Sequence, residues 1–344
     1  MTTKLKKLNE QVIVLTGATS GIGLATARMA AESGAKLVLA AREADALDTL
    51  AHEMRQRGAE VATVAADVGV PEDVAKIGRT AVERFGRVDT WINNAGIGTF
   101  GTFEQVSLDD MQRLMQTNLW GVVNGSLEAV KLLKAHGGGA LINVGSEASD
   151  RAVALQGTYS ASKHAVKAFT ESLRMELEKD KAPISVTLIK PAAISTPFPM
   201  HAKNYMEHEP TLPAPLYSPE LVARTILHAA EVPERDLFVG GQAKLMSVLS
   251  QLLPRSMDRF MRGAIFKQQQ APELSAPGRR DALHQPDARR ELRQRADLGD
   301  KITETSPYTS FQMKSTATKT MLVGGALLAA WALTRKPARR VWHA

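Results

Sequence analysis

A chain of 344 residues, 44% hydrophobic and 23% charged, is long enough to bury a full α/β core and has the composition of an ordinary globular protein. The absence of cysteine excludes disulfides, cysteine-ligated zinc and thiol nucleophiles. Much of the net charge of +7 lies beyond residue 278, in Arg279-Arg280, Arg289-Arg290, Arg293, Arg295 and the 335–340 cluster; a basic tail is not a base-reading surface, so no nucleic-acid partner is expected.

Taken in order, the chain alternates strand and helix. The first eight residues are basic with no apolar run behind them, which is not the pattern of a signal peptide. Val12–Thr16 reads as a strand, the stretch Gly17–Gly23 as a glycine turn, and Ile22, Ala25, Met29 and Ala30 as one face of a helix that closes at Gly34. Strands are predicted at Lys36–Ala41, Glu60–Ala66, Val88–Asn93, Ala140–Gly145, Ile184–Ile189 and Asp236–Val239. Helices are predicted at Glu43–Arg57, Pro71–Phe85, Leu108–His136 (as two), and Tyr159–Lys179. Near-continuous apolar strands between helices predict a Rossmann-like, doubly wound parallel sheet covered on both faces, with its ligand site at the carboxyl ends of the strands.

The first strand-to-helix turn points to a dinucleotide. Thr16-Gly17-x-x-x-Gly21-x-Gly23 follows a strand and opens a helix, where free N–H groups and the helix dipole favour a pyrophosphate; no Lys-Ser/Thr pair follows, so it is not a P-loop. At the end of the second strand, Ala40-Ala41-Arg42 supplies a guanidinium where a carboxylate would select a ribose hydroxyl, so NADP(H) is favoured over NAD(H). Further on, Tyr159 and Lys163 fall on one helix face, about 5–6 Å apart at Cβ. An ammonium there should favour the phenolate and ease proton transfer.

These residues together resemble the short-chain dehydrogenase/reductase family over roughly residues 8–250. The matching motifs are Thr16-Gly-x-x-x-Gly-x-Gly23, Asp67 after the third strand, Asn93-Asn-Ala-Gly96 after the fourth, Asn118, Ser146 thirteen residues before Tyr159, Tyr159-x-x-x-Lys163, and Pro191-x-x-x-x-Thr196. The resemblance implies an oxidoreductase acting on CH–OH donors, a nicotinamide cofactor, a small carbonyl or alcohol substrate, and assembly into a homo-oligomer. It makes Tyr159 the acid/base, Lys163 its electrostatic partner and a ribose ligand, Ser146 a donor to the substrate oxygen, and Asn118 the holder of a relay water. Thr16, Gly17, Ser20, Gly21, Ile22 and Gly23 would line the pyrophosphate turn. Arg42 would meet the 2′-phosphate, Asp67 and Val68 the adenine, and Asn94, Ala95 and Gly96 the cofactor's flank. Pro191 and Thr196 would lie at the nicotinamide. Two departures stand out: Pro191-Ala192 where the family has Pro-Gly, and Glu147 beside the serine, which is expected to point to solvent.

The remaining segments are read from composition. Residues 197–219 carry five prolines before Tyr217 together with Phe198, Met200 and Met206, which suits an apolar lid; His201 and His208 lack a partner cluster, so no metal site is expected. Two helices, Lys244–Leu253 and Arg255–Lys267, follow around Pro254. The expected organisation is a catalytic domain over 1–267, a flexible polar linker over 268–318, and an apolar helix with a basic tail over 319–344. The uncharged run 320–334 spans only ~22 Å as a helix, short of a ~30 Å hydrocarbon core, yet Trp331 and Trp342 suit an interface. Membrane association of an otherwise cytoplasmic catalytic domain is favoured, with a protein-buried or self-associating helix as the alternative. Three function classes remain: an NADP(H)-dependent carbonyl reductase or alcohol dehydrogenase acting on an apolar substrate, a 3-oxoacyl (β-ketoacyl) reductase, and a non-catalytic dinucleotide sensor. An intact Ser146–Tyr159–Lys163 set argues against the last, because a binder has no need of a proton donor.

Overall fold

The computed structural model describes residues 3–286, 292–296, 302–315 and Thr318. Seven strands form one parallel sheet: β1 (Val12–Thr16), β2 (Lys36–Ala41), β3 (Val61–Ala65), β4 (Thr90–Asn93), β5 (Gly139–Val144), β6 (Ile184–Pro191) and β7 (Asp236–Val239). Their spatial order, β7-β6-β5-β4-β1-β2-β3, reverses direction between β1 and β4. That reversal opens a crevice at the carboxyl ends of these two strands.

The sheet is covered on both faces, because most strand residues are buried at successive rather than alternate positions. In β1, Ile13 and Leu15 join one core cluster while Val14 joins the other; in β2, Leu37 and Leu39 oppose Val38 and Ala40 in the same way. Helices α1 (Gly21–Glu32) and α2 (Ala44–Gln56) pack on the first face. On the second lie α3 (Pro71–Phe85), with Pro71 in its first turn and Gly86 as its left-handed C-cap, and the two long central helices. The predicted pair over Leu108–His136 is a single helical run: α4 (Leu108–Met115, capped by Ser107), a π turn at Gln116–Trp120, and α5 (Gly121–Ala135). Helix α6 (Gly157–Lys179) follows β5, and α7 (Pro219–Glu231, capped by Ser218) packs against α1. Helices α8 (Gly241–Leu252) and α9 (Pro254–Phe260) are separated at Leu253, with Pro254 opening the second.

The expectation of a flexible linker over 268–318 does not hold for its described residues. Gln270–Leu274 pairs antiparallel with His208–Pro210, and Ile302–Thr303 pairs parallel with Leu216–Tyr217. A short helix, Pro307–Gln312, docks on edge strand β7: Gln312 Nε2 donates to the Phe238 carbonyl at 2.9 Å and Gln312 Oε1 accepts from the Phe238 N–H at 3.2 Å. A glutamine side chain here does what a neighbouring strand would do, covering the sheet edge. The stretch is fastened by backbone pairing and polar side chains with few apolar anchors, so average hydrophobicity carried no sign of it. The apolar run 320–334 and the basic tail lie outside the described residues; no helix among the described residues is long and apolar enough to cross a membrane.

Candidate active site

The carboxyl ends of β1 and β4 are clipped together. Thr16 Oγ1 accepts from the Asn94 and Ala95 amides at 3.1 and 3.2 Å, while Asn94 Nδ2 donates to the Thr16 and Gly17 carbonyls at 3.0 and 3.2 Å. Glycine is demanded at two positions of the turn. Gly17 has φ 69°, and a Cβ on Gly23 would lie 1.9 Å from the Gly17 carbonyl oxygen. Thr196, at the other side of the crevice, comes within 3.1 Å of where a Cβ on Gly21 would sit.

Two adjoining cavities result. The first, about 250 Å³, is lined by Gly17, Ser20, Gly21, Ile22, Gly23, Arg42, Asp67, Val68, Asn94, Ala95, Gly96 and Thr196. The second, about 160 Å³, is lined by Ser146, Glu147, Tyr159, Lys163, Pro191 and Phe198, with Leu212, Pro213, Met246, Met261 and Ile265 as its apolar wall. Ile22, Asn94, Gly96, Thr196 and Phe198 belong to both, so the two are halves of one crevice. Of the cofactor and catalytic residues expected from sequence, only Thr16 and Asn118 line neither cavity. Thr16 clips the strand ends, and Asn118 supports the floor.

Asn118 sits at the centre of the π turn, fully buried. Its Oδ1 accepts from the Ile97 N–H and its Nδ2 donates to the Ile97 carbonyl, both at 2.9 Å, and Nδ2 also donates to Ser162 Oγ at 3.2 Å. A π turn shifts the helical hydrogen-bond register and is common at functional sites, which accounts for an asparagine inside a helix. Lys163 Nζ donates to the Val144 carbonyl at 2.9 Å and lies 5.7 Å from the centroid of the Tyr159 ring. Ser146 caps the single helical turn after β5, its Oγ accepting from the Ala148 N–H at 3.1 Å. Phe198 leans on the Tyr159 ring, with centroids 5.3 Å apart.

The electrostatics depart from the expectation of an easily ionised phenol. Burial pushes Tyr159 up to about 12; a hydrogen bond with Ser146 opposes that shift and the Glu147 carboxylate adds to it. Burial also lowers the Lys163 ammonium to about 8. Desolvation here outweighs the pairing of phenol and ammonium. Glu147 does not face solvent as expected. It lines the second cavity, its Oε2 is buried among the described residues without a hydrogen-bond partner, and burial raises its carboxyl to about 7. Ala192, in place of the family's glycine, is not among the residues with positive φ, so alanine is accommodated there.

Some residues escaped the sequence reading. Arg113, on α4, binds Asp67 Oδ2 at 2.6 Å, while Asp67 Oδ1 accepts from the Gly69 N–H at 2.9 Å, so the carboxylate after β3 is already held on both oxygens. Arg42 reaches the first cavity, but its guanidinium donates to backbone carbonyls of residues 282–284. Not among the missed residues are Met257, Met261 and Ile265, part of the apolar face that the sequence gives the helices around Pro254; spaced four apart, they turn inward as one buried stripe, and Met261 and Ile265 wall the second cavity. His201 lines the first cavity, His208 sits in a short strand, and no group of His, Asp and Glu among the described residues is arranged to hold a metal.

Against known proteins, the model of the short chain dehydrogenase family matches residues 11–207. The chain belongs to the short-chain dehydrogenase/reductase family. It is 46% identical over 338 residues to YxnA, an uncharacterized oxidoreductase of Bacillus subtilis, covering 97% of this chain and 93% of that protein; the likeness therefore runs on through most of the C-terminal extension. Among solved structures it resembles an alcohol dehydrogenase of Thermococcus sibiricus complexed with 5-hydroxy-NADP (29% identity, TM-score 0.59, 67% of this chain and 95% of that one). It also resembles a short-chain dehydrogenase/reductase of Burkholderia phymatum in complex with NAD (26% identity, TM-score 0.64, 79% and 100%). The protein is thus an oxidoreductase of this family.

Proposed function

We propose that the protein interconverts a ketone or aldehyde and an alcohol, with NADP(H) as cofactor and Tyr159 as the acid/base. The observation that carries this reading is the juxtaposition of two cavities: one behind a glycine turn shaped for a pyrophosphate, the other holding Ser146, Tyr159 and Lys163 against an apolar wall. The residues present fit a dinucleotide, since a side chain at Gly23 would close the very turn that must stay open. When bound, the cofactor supplies or accepts the hydride. Gly17–Gly23 would hold its pyrophosphate, and Thr196 and Pro191 would flank its reactive ring.

The chain's own contribution is proton handling and exclusion of water. With a phenol held near 12, Tyr159 is fully protonated at neutral pH and ready to donate to a carbonyl oxygen as charge develops on it. Ser146 Oγ offers a second hydrogen bond to the same oxygen, a stabilisation that grows toward the transition state. Lys163, charged below about 8, is the cation that stabilises the phenolate left behind. Asn118, locked on Ile97 and Ser162, steadies the helix that carries Tyr159 and Lys163; its π turn suits a relay water. Phe198, Met246, Met261 and Ile265 keep the second cavity dry and select a substrate with an apolar body.

NADP(H) is preferred in this reading because Arg42 stands just past the end of β2 with Arg113 beside it, and Arg113 already holds the neighbouring Asp67 carboxylate. The test is a panel of apolar ketones and aldehydes with NADPH. The wild type should consume NADPH on at least one member. Tyr159→Phe should turn over that member roughly a hundred- to ten-thousand-fold more slowly while binding NADPH as before. Equal turnover by the variant removes Tyr159 from the chemistry.

A further inference from the structure

After its pairing with His208–Pro210, the chain returns to the first cavity, and the contacts it makes there belong to none of the family's motifs. The carbonyls of Ala282 and Leu283 accept from the Arg42 guanidinium (3.1 Å at Leu283), and the Leu283 carbonyl also accepts from Arg113 Nε at 3.1 Å. The Arg293 carbonyl accepts from the Gly21 N–H, in the pyrophosphate turn, at 3.0 Å. The Leu283 side chain is fully buried against Ile97 and Leu114, with Tyr159 packed beside them. On the lid side, Arg279 donates to Glu209 Oε2 at 2.8 Å and to the Ala202 and Pro199 carbonyls at 2.6 Å, and the Ala282 N–H donates to the His201 carbonyl at 2.8 Å. His284 Nε2 lies 2.6 Å from Asp110 Oδ1. The segment is therefore fastened on the α1 side, on the lid side and at α4, with the mouth of the cavity between.

We propose that residues 279–286 and 292–296 form an outer wall of the cofactor site: a strap that roofs the bound dinucleotide, aligns Arg42 for it, and must lift before the cofactor can leave. The proposal rests on the NADP(H) reading above. The Arg293 carbonyl takes one amide of the turn, the Gly21 N–H, which the cofactor must reclaim; two observations make the rest of the segment a roof and not a plug. A cavity of about 250 Å³ persists beneath it, bounded by the glycine turn on one side and by Ala282 and Pro286 on the other. The strap also holds Arg42 through neutral carbonyls, which leave the guanidinium its charge and donors still unused for an anion. A roof of this kind slows cofactor exchange, because release then requires Leu283 to leave its buried seat.

The test measures NADPH binding and release by the full-length protein, by intrinsic fluorescence with excess NADP⁺ as chase. Leu283→Asp places a charge in an apolar seat and should expel the strap; Arg279→Ala unfastens it from the lid, far from the turn, and serves if the first variant does not fold. Either variant should release NADPH at least about tenfold faster than wild type and bind it correspondingly less tightly, a change of about 1.4 kcal/mol. In the wild type, NADPH should slow trypsin cleavage after Arg279 and Arg280. Unchanged release in the folded variants overturns the roof, and tighter binding overturns it by making the strap a competitor of the cofactor. A wild type that binds neither NADPH nor NADH overturns the functional reading itself, and the strap with it.

Discussion

The two halves of the crevice are built by different means. The floor of the first cavity is made of strand ends and backbone, namely a glycine turn, the Thr16–Asn94 clip and side chains just past β1, β2, β3 and β4, while Thr196, His201, Ala282 and Pro286 close it from outside. The second draws one wall from the short span 144–163 and the opposite wall from Phe198, Leu212, Met246, Met261 and Ile265, scattered over nearly seventy positions. A pyrophosphate demands amides at fixed places and a missing side chain where the backbone must approach, so its site is written in spaced residues. An apolar substrate demands only dry volume, which many sequences supply. The chemistry of this protein is therefore rigidly specified and its selectivity loosely so.

The comparison can be broken at its rigid end first. Gly23→Ala drives a methyl group into the Gly17 carbonyl, 1.9 Å away. With overpacking at about 3 kcal/mol, NADPH affinity should fall roughly a hundredfold in a calorimetric titration, while circular dichroism stays native. Affinity within a few-fold of wild type would mean the turn is not the cofactor seat. A smaller effect is expected for Arg42→Asp. Exchanging a guanidinium for a carboxylate should move the NADPH-to-NADH affinity ratio toward NADH by about tenfold or more. A ratio that does not move takes Arg42 out of cofactor selection.

The loosely specified half gives the smallest effect. The Glu147 carboxyl, raised by burial from 4.5 to about 7, binds more protons in the folded than in the unfolded protein between these values. Stability should therefore fall as pH rises from 4.5 to 7 and then level off. Glu147→Gln should raise Tm at pH 8 and leave it nearly unchanged at pH 4, by calorimetry at both pH values. A Tm gain of the same size at both would show that the carboxyl is not held in the cavity as described.

Legibility in the sequence followed the same division. The seven strands and their helices are readable because the strands bury side chains at successive positions; of the expected site residues, Gly17, Arg42, Asp67, Asn94 and Ser146 lie just past strand ends, while Asn118, Tyr159 and Lys163 come from helices. Glu147 was misread: a carboxylate beside a serine gives no local sign that cavity walls from α8 and the Met261–Ile265 turn will desolvate it. The electrostatics of Tyr159 and Lys163 were misread for a related reason. Spacing shows that the two are close but not that Lys163 is buried and Tyr159 largely withdrawn from water, and desolvation decides the direction of each shift. The stretch 268–318 reads as linker because composition averages hide single anchors. Leu283 in its apolar seat and Gln312 on the edge of β7 fasten it with very little apolar surface.

The central claim is that the two cavities serve one hydride transfer. The most direct measurement follows the label: NADPH carrying deuterium at both C4 positions of the nicotinamide is supplied with the best carbonyl of the panel, and the product alcohol is examined by mass spectrometry. The account predicts one deuterium on the carbinol carbon, introduced by the wild type and by Tyr159→Phe only at its residual rate. NADPH consumed with no deuterium in the alcohol would contradict it.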